Sequence, residues 1–403
     1  MKYIISPIHH TMKKITSFLL IAIASHTTSA QSFIQAYQNR ADAVSQTDII
    51  TNLQEFASWG VKKTGTQANV NALTWLKNKY LSYGYTASQM TEDTFPYSNT
   101  TSKNLIITKT GTVYPNKYVI ICGHFDTITG PGVNDNGSGT SIILEAARIL
   151  RTIPTEYSIK FIHFSGEEQG LLGSYHYVDN VVYQGNNRVL DVKMVFNLDQ
   201  VGGVMGNINN TVYCDEDQGG LPGNNAASAA ITQELRNCTS LYSTLQTAVD
   251  PAEDTDYIPF EERGEIITGF FERIRSSFPH TVNDTFANTD PEYIYKIGKA
   301  SVGALQHFAV ASTQTLGTQE PVSKNTLESI KIYPNPAKDF INIEFPDSKT
   351  KNFSFEITDF EGHSLLKTVN EKKVNISSLE NGAYVGIVKR GDQTVVRKLI
   401  IAK

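Results

Sequence analysis

The sequence predicts an α/β domain with a mixed, mostly parallel central sheet and helices on both faces, followed by a small all-β sandwich. Three features predict it. Lys117–Cys122, Ser158–Phe164 and Val192–Leu198 are near-continuous apolar runs of strand length, the pattern of central strands covered on both faces. Between the first two, Ile142, Ile143, Ala146, Ala147, Ile149 and Leu150 give an apolar stripe at helical spacing over Ser138–Leu150. After Ala311 the texture changes to Ser, Thr, Gln and Gly, then to short alternating runs between turn signals.

At about 150 residues per domain, 403 residues suggest two to three domains. Hydrophobic residues at 40% and charged residues at 19% exclude a largely disordered or collagen-like chain. Thirty-five basic against forty acidic side chains leave a formal charge of -5, so no overall positive field exists to hold nucleic acid.

Residues 1–30 contain no acid, carry Lys13-Lys14 and run apolar from Ile15 to Ala24. That pattern predicts a signal peptide cut before Gln31, with an apolar run of about ten residues, short of the ~20 that span a bilayer. Met12 followed by two lysines is the more usual start, which makes residues 1–11 an upstream extension. Cleavage removes three lysines and no acid, taking the charge from -5 to -8. No transmembrane segment is expected. In an exported chain three cysteines fit one disulfide plus one thiol. Cys122 lies in an apolar β-run and reads as a buried small hydrophobe. Cys214 and Cys238 lie in polar, turn-rich text, and whether they pair depends on a Cα approach that sequence does not fix.

The α/β alternation runs from about Thr47 to Ala311 within a first domain of residues 31–311, and Lys117–Phe164 reads as a strand–helix–strand unit with a right-handed crossover. Residues 312–326 read as a linker. From 327 to 403, runs such as Phe340–Phe345, Phe353–Ile357, Gly382–Val388 and Val395–Ile400 alternate with turns at Glu361-Gly362, Asn381-Gly382 and Gly391-Asp392, the signature of a small sandwich. No internal repeat is apparent.

Five segments of the first domain carry metal-type ligands: His124-Phe125-Asp126, Asn134–Gly139, Gly166-Glu167-Glu168-Gln169-Gly170, Asn197-Leu198-Asp199 and Pro279-His280-Thr281. Most follow an apolar strand directly, where open α/β sheets bind ligands. Each alone has a plain structural account: Asp135 as a helix cap, His124 as a satisfied core histidine, Glu167-Glu168 as a solvated turn. Together they place several carboxylates in one crevice, which is costly unless cations or hydrogen bonds compensate them. Three carboxylates and two neutral imidazoles against two divalent cations leave one positive charge. Mixed His and Asp/Glu ligation favours Zn²⁺, and two ions about 3.5–4 Å apart can share one carboxylate and a water.

In type and order these segments resemble the M28 zinc aminopeptidases over roughly residues 47–311. The resemblance implies that His124 and Glu168 hold one zinc, that Asp199 and His280 hold the other, and that Asp135 bridges them. It further implies Asp126 as the residue orienting His124, and Glu167 as the general base taking a proton from the water. Glu167 and Glu168, adjacent on extended chain, would point opposite ways. Where the family often has Ser-Asp-His-x-x-Phe, this chain has Thr255-Asp256-Tyr257-Ile258-Pro259-Phe260, a departure near the substrate pocket that leaves the ligand set intact. Asp215-Glu216-Asp217 reads as an exposed acidic loop before it reads as a calcium site. His163 and His176 read as structural.

In the last domain, Ile330-Lys331-Ile332-Tyr333-Pro334-Asn335-Pro336, Phe340–Ile343 and the closing Val395–Ile401 run resemble a type IX secretion sorting domain. That implies the type IX machinery as a partner and a secreted, extracellular or outer-surface location. The expected function is a secreted dinuclear zinc exopeptidase that removes N-terminal residues from peptides or proteins. The alternatives are a single-zinc glutaminyl cyclase-like enzyme and a non-catalytic peptidase-like interaction domain.

Overall fold

Side chains of the central strands feed two separate apolar clusters, one on each face of an eight-stranded sheet. In the strand Tyr114–His124, Val119 and Ile121 enter the larger cluster while Ile120 and Cys122 enter the smaller, as a two-residue period requires. The computed structural model describes residues 31–219, 223–314, 330–345, 352–359, 363–390 and 393–403. The signal peptide expected over 1–30, most of the linker expected over 312–326, and the turns at Glu361-Gly362 and Gly391-Asp392 lie outside the described residues. The chain divides into two compact units, Met1–Thr315 and Leu316–Lys403.

In chain order the first unit contains α1 (Gln35–Ala41), α2 (Gln46–Ser58), α3 (Gln67–Ser82), β1 (Met90–Tyr97), β2 (Thr100–Lys109), β3 (Tyr114–His124), α4 (Gly139–Leu150), β4 (Tyr157–Phe164) and α5 (Leu172–Tyr177). There follow the two-residue strands β5 (Tyr183–Gln184) and β6 (Asn187–Arg188), then β7 (Asp191–Leu198), β8 (Thr211–Glu216), α6 (Asn225–Tyr242), β9 (Gln246–Pro251), α7 (Ile258–Glu262), β10 (Ile267–Glu272) and α8 (Pro291–Phe308). The sheet order is β1-β2-β4-β3-β7-β10-β8-β9. Its central run β4-β3-β7-β10 is parallel, as is β8-β9, while β1, β2 and the β10-β8 pair are antiparallel.

Helices cover the faces unequally. Buried residues of α1, α2, α3, α4, α6 and α8 belong to the larger cluster, where Phe196 meets Phe270 and Phe308 edge-on. Burying each such ring contributes about 1.5–3 kcal/mol. The short α5 and α7 supply Tyr177 and Phe260 to the smaller cluster. Helix starts follow the local chemistry. Ser45 Oγ accepts from Asp48 N at 3.1 Å at the head of α2, and Asp290 accepts from the amides of Glu292 and Tyr293 ahead of Pro291 in α8.

Cys214 lies inside β8 and Cys238 inside α6, and both are buried free thiols of the larger core. The surroundings read as turn-rich are therefore a strand and a helix, and the pairing left open is not formed. The acidic run is likewise not an exposed loop: Asp215 and Asp217 are buried, with Asp215 Oδ2 accepting from Tyr257 and Asp217 Oδ2 from Asn224.

In the second unit, β11 (Lys331–Tyr333), β12 (Phe340–Glu344) and β15 (Lys373–Asn375) form one sheet. The other contains β13 (Ser354–Thr358), β14 (Ser364–Val369), β16 (Gly382–Arg390) and β17 (Gln393–Ile401) in the order β14-β13-β16-β17. Ile341, Ile343 and Val374 from the first sheet share a core with Phe355, Ile357, Val388 and Leu399 from the second, which makes a sandwich. Among the described residues, no helix is long and apolar enough to cross a membrane.

Candidate active site

Strand register brings the first two ligands together. Cys122 of β3 pairs with Asn197 of the parallel strand β7, so His124 and Asp199, two residues further on, emerge side by side. His124 Nε2 lies 3.5 Å from Asp199 Oδ1 and 3.1 Å from Asp135 Oδ1. The other Asp135 oxygen, Oδ2, lies 3.2 Å from His280 Nε2, which in turn is 3.0 Å from Glu168 Oε2. Two triads result, His124–Asp135–Asp199 and Asp135–Glu168–His280, each with its ligand atoms within 4.8 Å of one another. Asp135 belongs to both.

The pairing implied by resemblance is thus exchanged: His124 shares a triad with Asp199, and Glu168 with His280. Topology is the cause. His124 and Asp199 end neighbouring strands, whereas Glu168 lies on the turn after β4 and His280 on the loop after β10, at the crevice mouth with its side chain 60% exposed.

Asp135 is held from behind by the same loop that supplies His280. Asp284 Oδ1 accepts from Asn134 N at 2.7 Å and Oδ2 accepts from Asp135 N at 2.9 Å. Gly132, at φ 62°, admits the chain to this turn; a Cβ there would lie 2.2 Å from Thr127 Cγ2 and 2.4 Å from the Asp135 carbonyl oxygen. The buried Lys62 braces the approach, its ammonium donating to the carbonyls of Phe56, Gly60 and Pro131. The helix cap anticipated for Asp135 falls instead to Asn136, whose Oδ1 accepts from Gly139 N at 2.9 Å.

Asp126 meets His124 through its main chain, the carbonyl oxygen 3.1 Å from Nδ1, with the carboxylate 3.7 Å away. The carboxylate has another task. Oδ1 accepts from Glu167 N and Oδ2 from Glu168 N, each at 3.3 Å, and Thr64 donates to Oδ2 at 3.2 Å. Residues 167–171 form a tight turn with the amides of Gly170 and Leu171 bonded to the Glu167 carbonyl, so the two glutamates diverge from a turn and not from extended chain. Glu168 reaches His280, and Glu167 Oε2 stops 3.8 Å from His124 Nε2.

The electrostatics suit cations. Burial, then the neighbouring Asp135 charge, pushes Glu168 up to about 8, and burial drives Glu167 well above the carboxylate range. Against the cost of burial, the adjacent imidazoles of His124 and His280 hold Asp135 down to about 2. His124 Nε2 and Asp199 Oδ1 are buried with no hydrogen-bond partner. Orphaned buried acceptors are expensive, and a mixed set of imidazole and carboxylate donors fits zinc. The triads open into a crevice of about 360 Å³ walled also by Gln200, Glu253, Asp254, Phe271 and Arg275.

Sequence comparison agrees with this geometry. The model of peptidase family M28 matches residues 104–305, half of the chain. The chain belongs to peptidase family M28. Residues 331–402 match the secretion system C-terminal sorting domain. The aminopeptidase YwaD of Bacillus subtilis is 44% identical over 108 residues, 26% of this chain and 23% of that protein. An aminopeptidase of Pseudomonas aeruginosa is 31% identical over 168 residues, 41% of this chain and 30% of that protein. The chain therefore spans less than a third of the length of these curated relatives. The LapA aminopeptidase of Legionella pneumophila superposes with a TM-score of 0.61 at 20% identity, covering 74% of this chain and 80% of that one. The glutaminyl cyclase of Bacteroides thetaiotaomicron bound to N-acetylhistamine gives 0.53 at 17%, covering 65% and 97%. These two likenesses show the fold.

Several residues of this M28 site carry no sequence signal of their own. Thr255, inside the departing segment, donates to Asp199 Oδ2 at 2.6 Å, and Gln200 Nε2 donates to Asp135 Oδ2 at 3.3 Å. Of the remaining histidines, His163 is buried against the Tyr80 hydroxyl at 2.8 Å and His176 faces Asp93 at 3.2 Å; neither belongs to the triads.

Proposed function

We propose that this protein is a secreted aminopeptidase that uses two zinc ions, one per triad, with Asp135 between them. The observation that carries the reading is the sharing of Asp135 between two complete triads at the floor of an open crevice. Bound zinc supplies Lewis acidity, activating a water and polarising a carbonyl.

The chain's own residues do the rest. His124 and Asp199 are fixed by neighbouring strands, and Asp126 sets the turn that aims Glu168 and Glu167. Glu167 ends at the crevice wall with its side chain 12% exposed, within reach of a water at the triads. Its Oε2 takes the proton from the attacking water and passes it to the departing amine. A positioned general base contributes about 10²–10⁴-fold. The C-terminal unit, matching a sorting domain, acts as the export address through the type IX machinery.

A second reading, glutaminyl cyclase, draws on the shared fold, but two complete triads favour the dinuclear hydrolase. Incubating the zinc-loaded protein with N-terminal Gln peptides separates them: free amino acid supports the aminopeptidase, and a cyclised product without it supports the cyclase. With aminoacyl substrates, Glu167→Gln is expected to retain both zinc ions and lose 10²–10⁴-fold in kcat. Near-normal turnover at full zinc would remove Glu167 from the reaction.

A further inference from the structure

The crevice wall beyond the triads is made by two loops. The one after β9 carries Glu253 and Asp254 directly before Thr255, so the residue that holds Asp199 also fixes where these carboxylates stand. Glu253 is further held by its amide, which donates to the Tyr257 hydroxyl at 2.5 Å. The loop after β10 carries Arg275, whose guanidinium lies 3.9 Å from the Phe271 ring centroid. It pairs with Glu253 and, at 3.4 Å, with Asp250 Oδ2.

That guanidinium is occupied. Held by two carboxylates and stacked on a ring, it is a poor receptor for a substrate carboxylate. Asp254 is exposed and makes no ion pair among the described residues. Of the groups that line this wall, two carboxylates against one guanidinium leave a net negative charge of one, with Asp250 holding the guanidinium from outside the crevice. The ligand carboxylates deeper in face cations when the site is loaded, so the wall is the part of the crevice with uncompensated charge. Asp199 lines the same crevice, its Oδ1 turned to His124 and its Oδ2 held by Thr255, so the wall of Glu253 and Asp254 adjoins the metal triad directly.

We infer that Glu253 and Asp254 select peptides whose N-terminal residue carries a cationic side chain, lysine or arginine, and disfavour those beginning with an acidic residue. The inference rests on the aminopeptidase reading above. A cleft lined by one sign of charge enriches the opposite charge and raises its association rate by about 10–10³-fold, an effect that salt weakens.

The test uses the full-length zinc-loaded protein and the 4-nitroanilides of Lys, Arg, Leu and Glu. The expected kcat/KM for Lys and Arg is about tenfold above Leu at low salt, with Glu lowest and the spread narrowing as salt rises. Glu253→Gln with Asp254→Asn is expected to bring the Lys-to-Leu ratio close to one. Equal rates for Lys and Leu, or a ratio untouched by the double variant, would overturn the inference. Calorimetric binding of lysinamide against leucinamide reads the same ratio without turnover. Tighter lysinamide binding with no amino acid released from any substrate would refute the aminopeptidase reading and leave the wall's selectivity standing. Equal binding of the two amides would refute the selectivity even in an active peptidase.

Discussion

Thr255 donates its hydroxyl to Asp199 Oδ2 at 2.6 Å, which leaves Asp199 Oδ1 as the oxygen facing His124. A hydrogen bond of this kind fixes the rotamer of a ligand carboxylate, and losing it commonly costs 10–100-fold in metal affinity or activity. Thr255→Val, similar in volume, is therefore expected to weaken zinc binding by about that factor, and Thr255→Ser to retain most of it. Competitive chelator titration measures both; unchanged affinity in the valine variant would show that Asp199 needs no such support.

Asp135→Ala is expected to lower zinc content toward one ion or none and to abolish turnover, because this is the residue both triads share. Asp126→Ala should behave differently. It removes the acceptor of the Glu167 and Glu168 amides, so it should loosen the turn that aims both glutamates. Zinc affinity falls by about 10–100-fold, and added zinc restores part of the activity. Metal analysis on folded samples of the two variants checks the contrast.

His163 should make the fold sensitive to acid. Burial holds its pKa down to about 3, against about 6.5 in an unfolded chain. The folded protein therefore keeps it neutral while the unfolded chain binds a proton. Its contribution is fully present above about pH 6.5 and is lost progressively as the pH falls toward 3, at up to about 1.4 kcal/mol per pH unit. The urea midpoint of His163→Gln should fall less than that of the parent over this range. Parallel declines would assign the sensitivity to other groups.

The apolar core of the second unit shares no residue with the two clusters of the first. Deleting residues 316–403 is expected to leave a folded first unit with its melting temperature and aminoacyl hydrolysis essentially intact. In a host with a type IX system, the shortened protein should remain in the periplasm. Its normal appearance outside the cell would separate the second unit from export.

What was legible in the sequence follows from burial on both faces. The strands β3, β4 and β7 are apolar runs because helices cover them on either side, and the ligands at their ends stood out against that background. The edge strand β1, Met90-Thr-Glu-Asp-Thr-Phe-Pro-Tyr97, has one buried residue in eight and carries no such signal. β10 is fully buried, yet its Ile-Thr-Gly-Phe-Phe-Glu is too short and mixed to read as a central strand. The partition of ligands between triads depends on register across β3 and β7, which one-dimensional order does not contain. Thr255 and Asp284 were invisible for a related reason: a hydroxyl or carboxylate acting on a residue 56 or 149 positions away leaves no local pattern.

The hold of Asp284 on the amides of Asn134 and Asp135 bears on how the protein is made. During synthesis the chain presents His124, Asp135, Glu168 and Asp199 long before the loop of His280 and Asp284 emerges, yet the turn bearing Asp135 has its acceptor only once that loop is in place. Contacts so distant along the chain form late, because loop closure must be met before they contribute. A partly made chain would therefore carry most of the ligands without the arrangement that grips a metal. The two triads are thus completed only by the loop of residues 280–284, close to the end of the first unit, so the order of synthesis makes that loop the closing step in assembling the site.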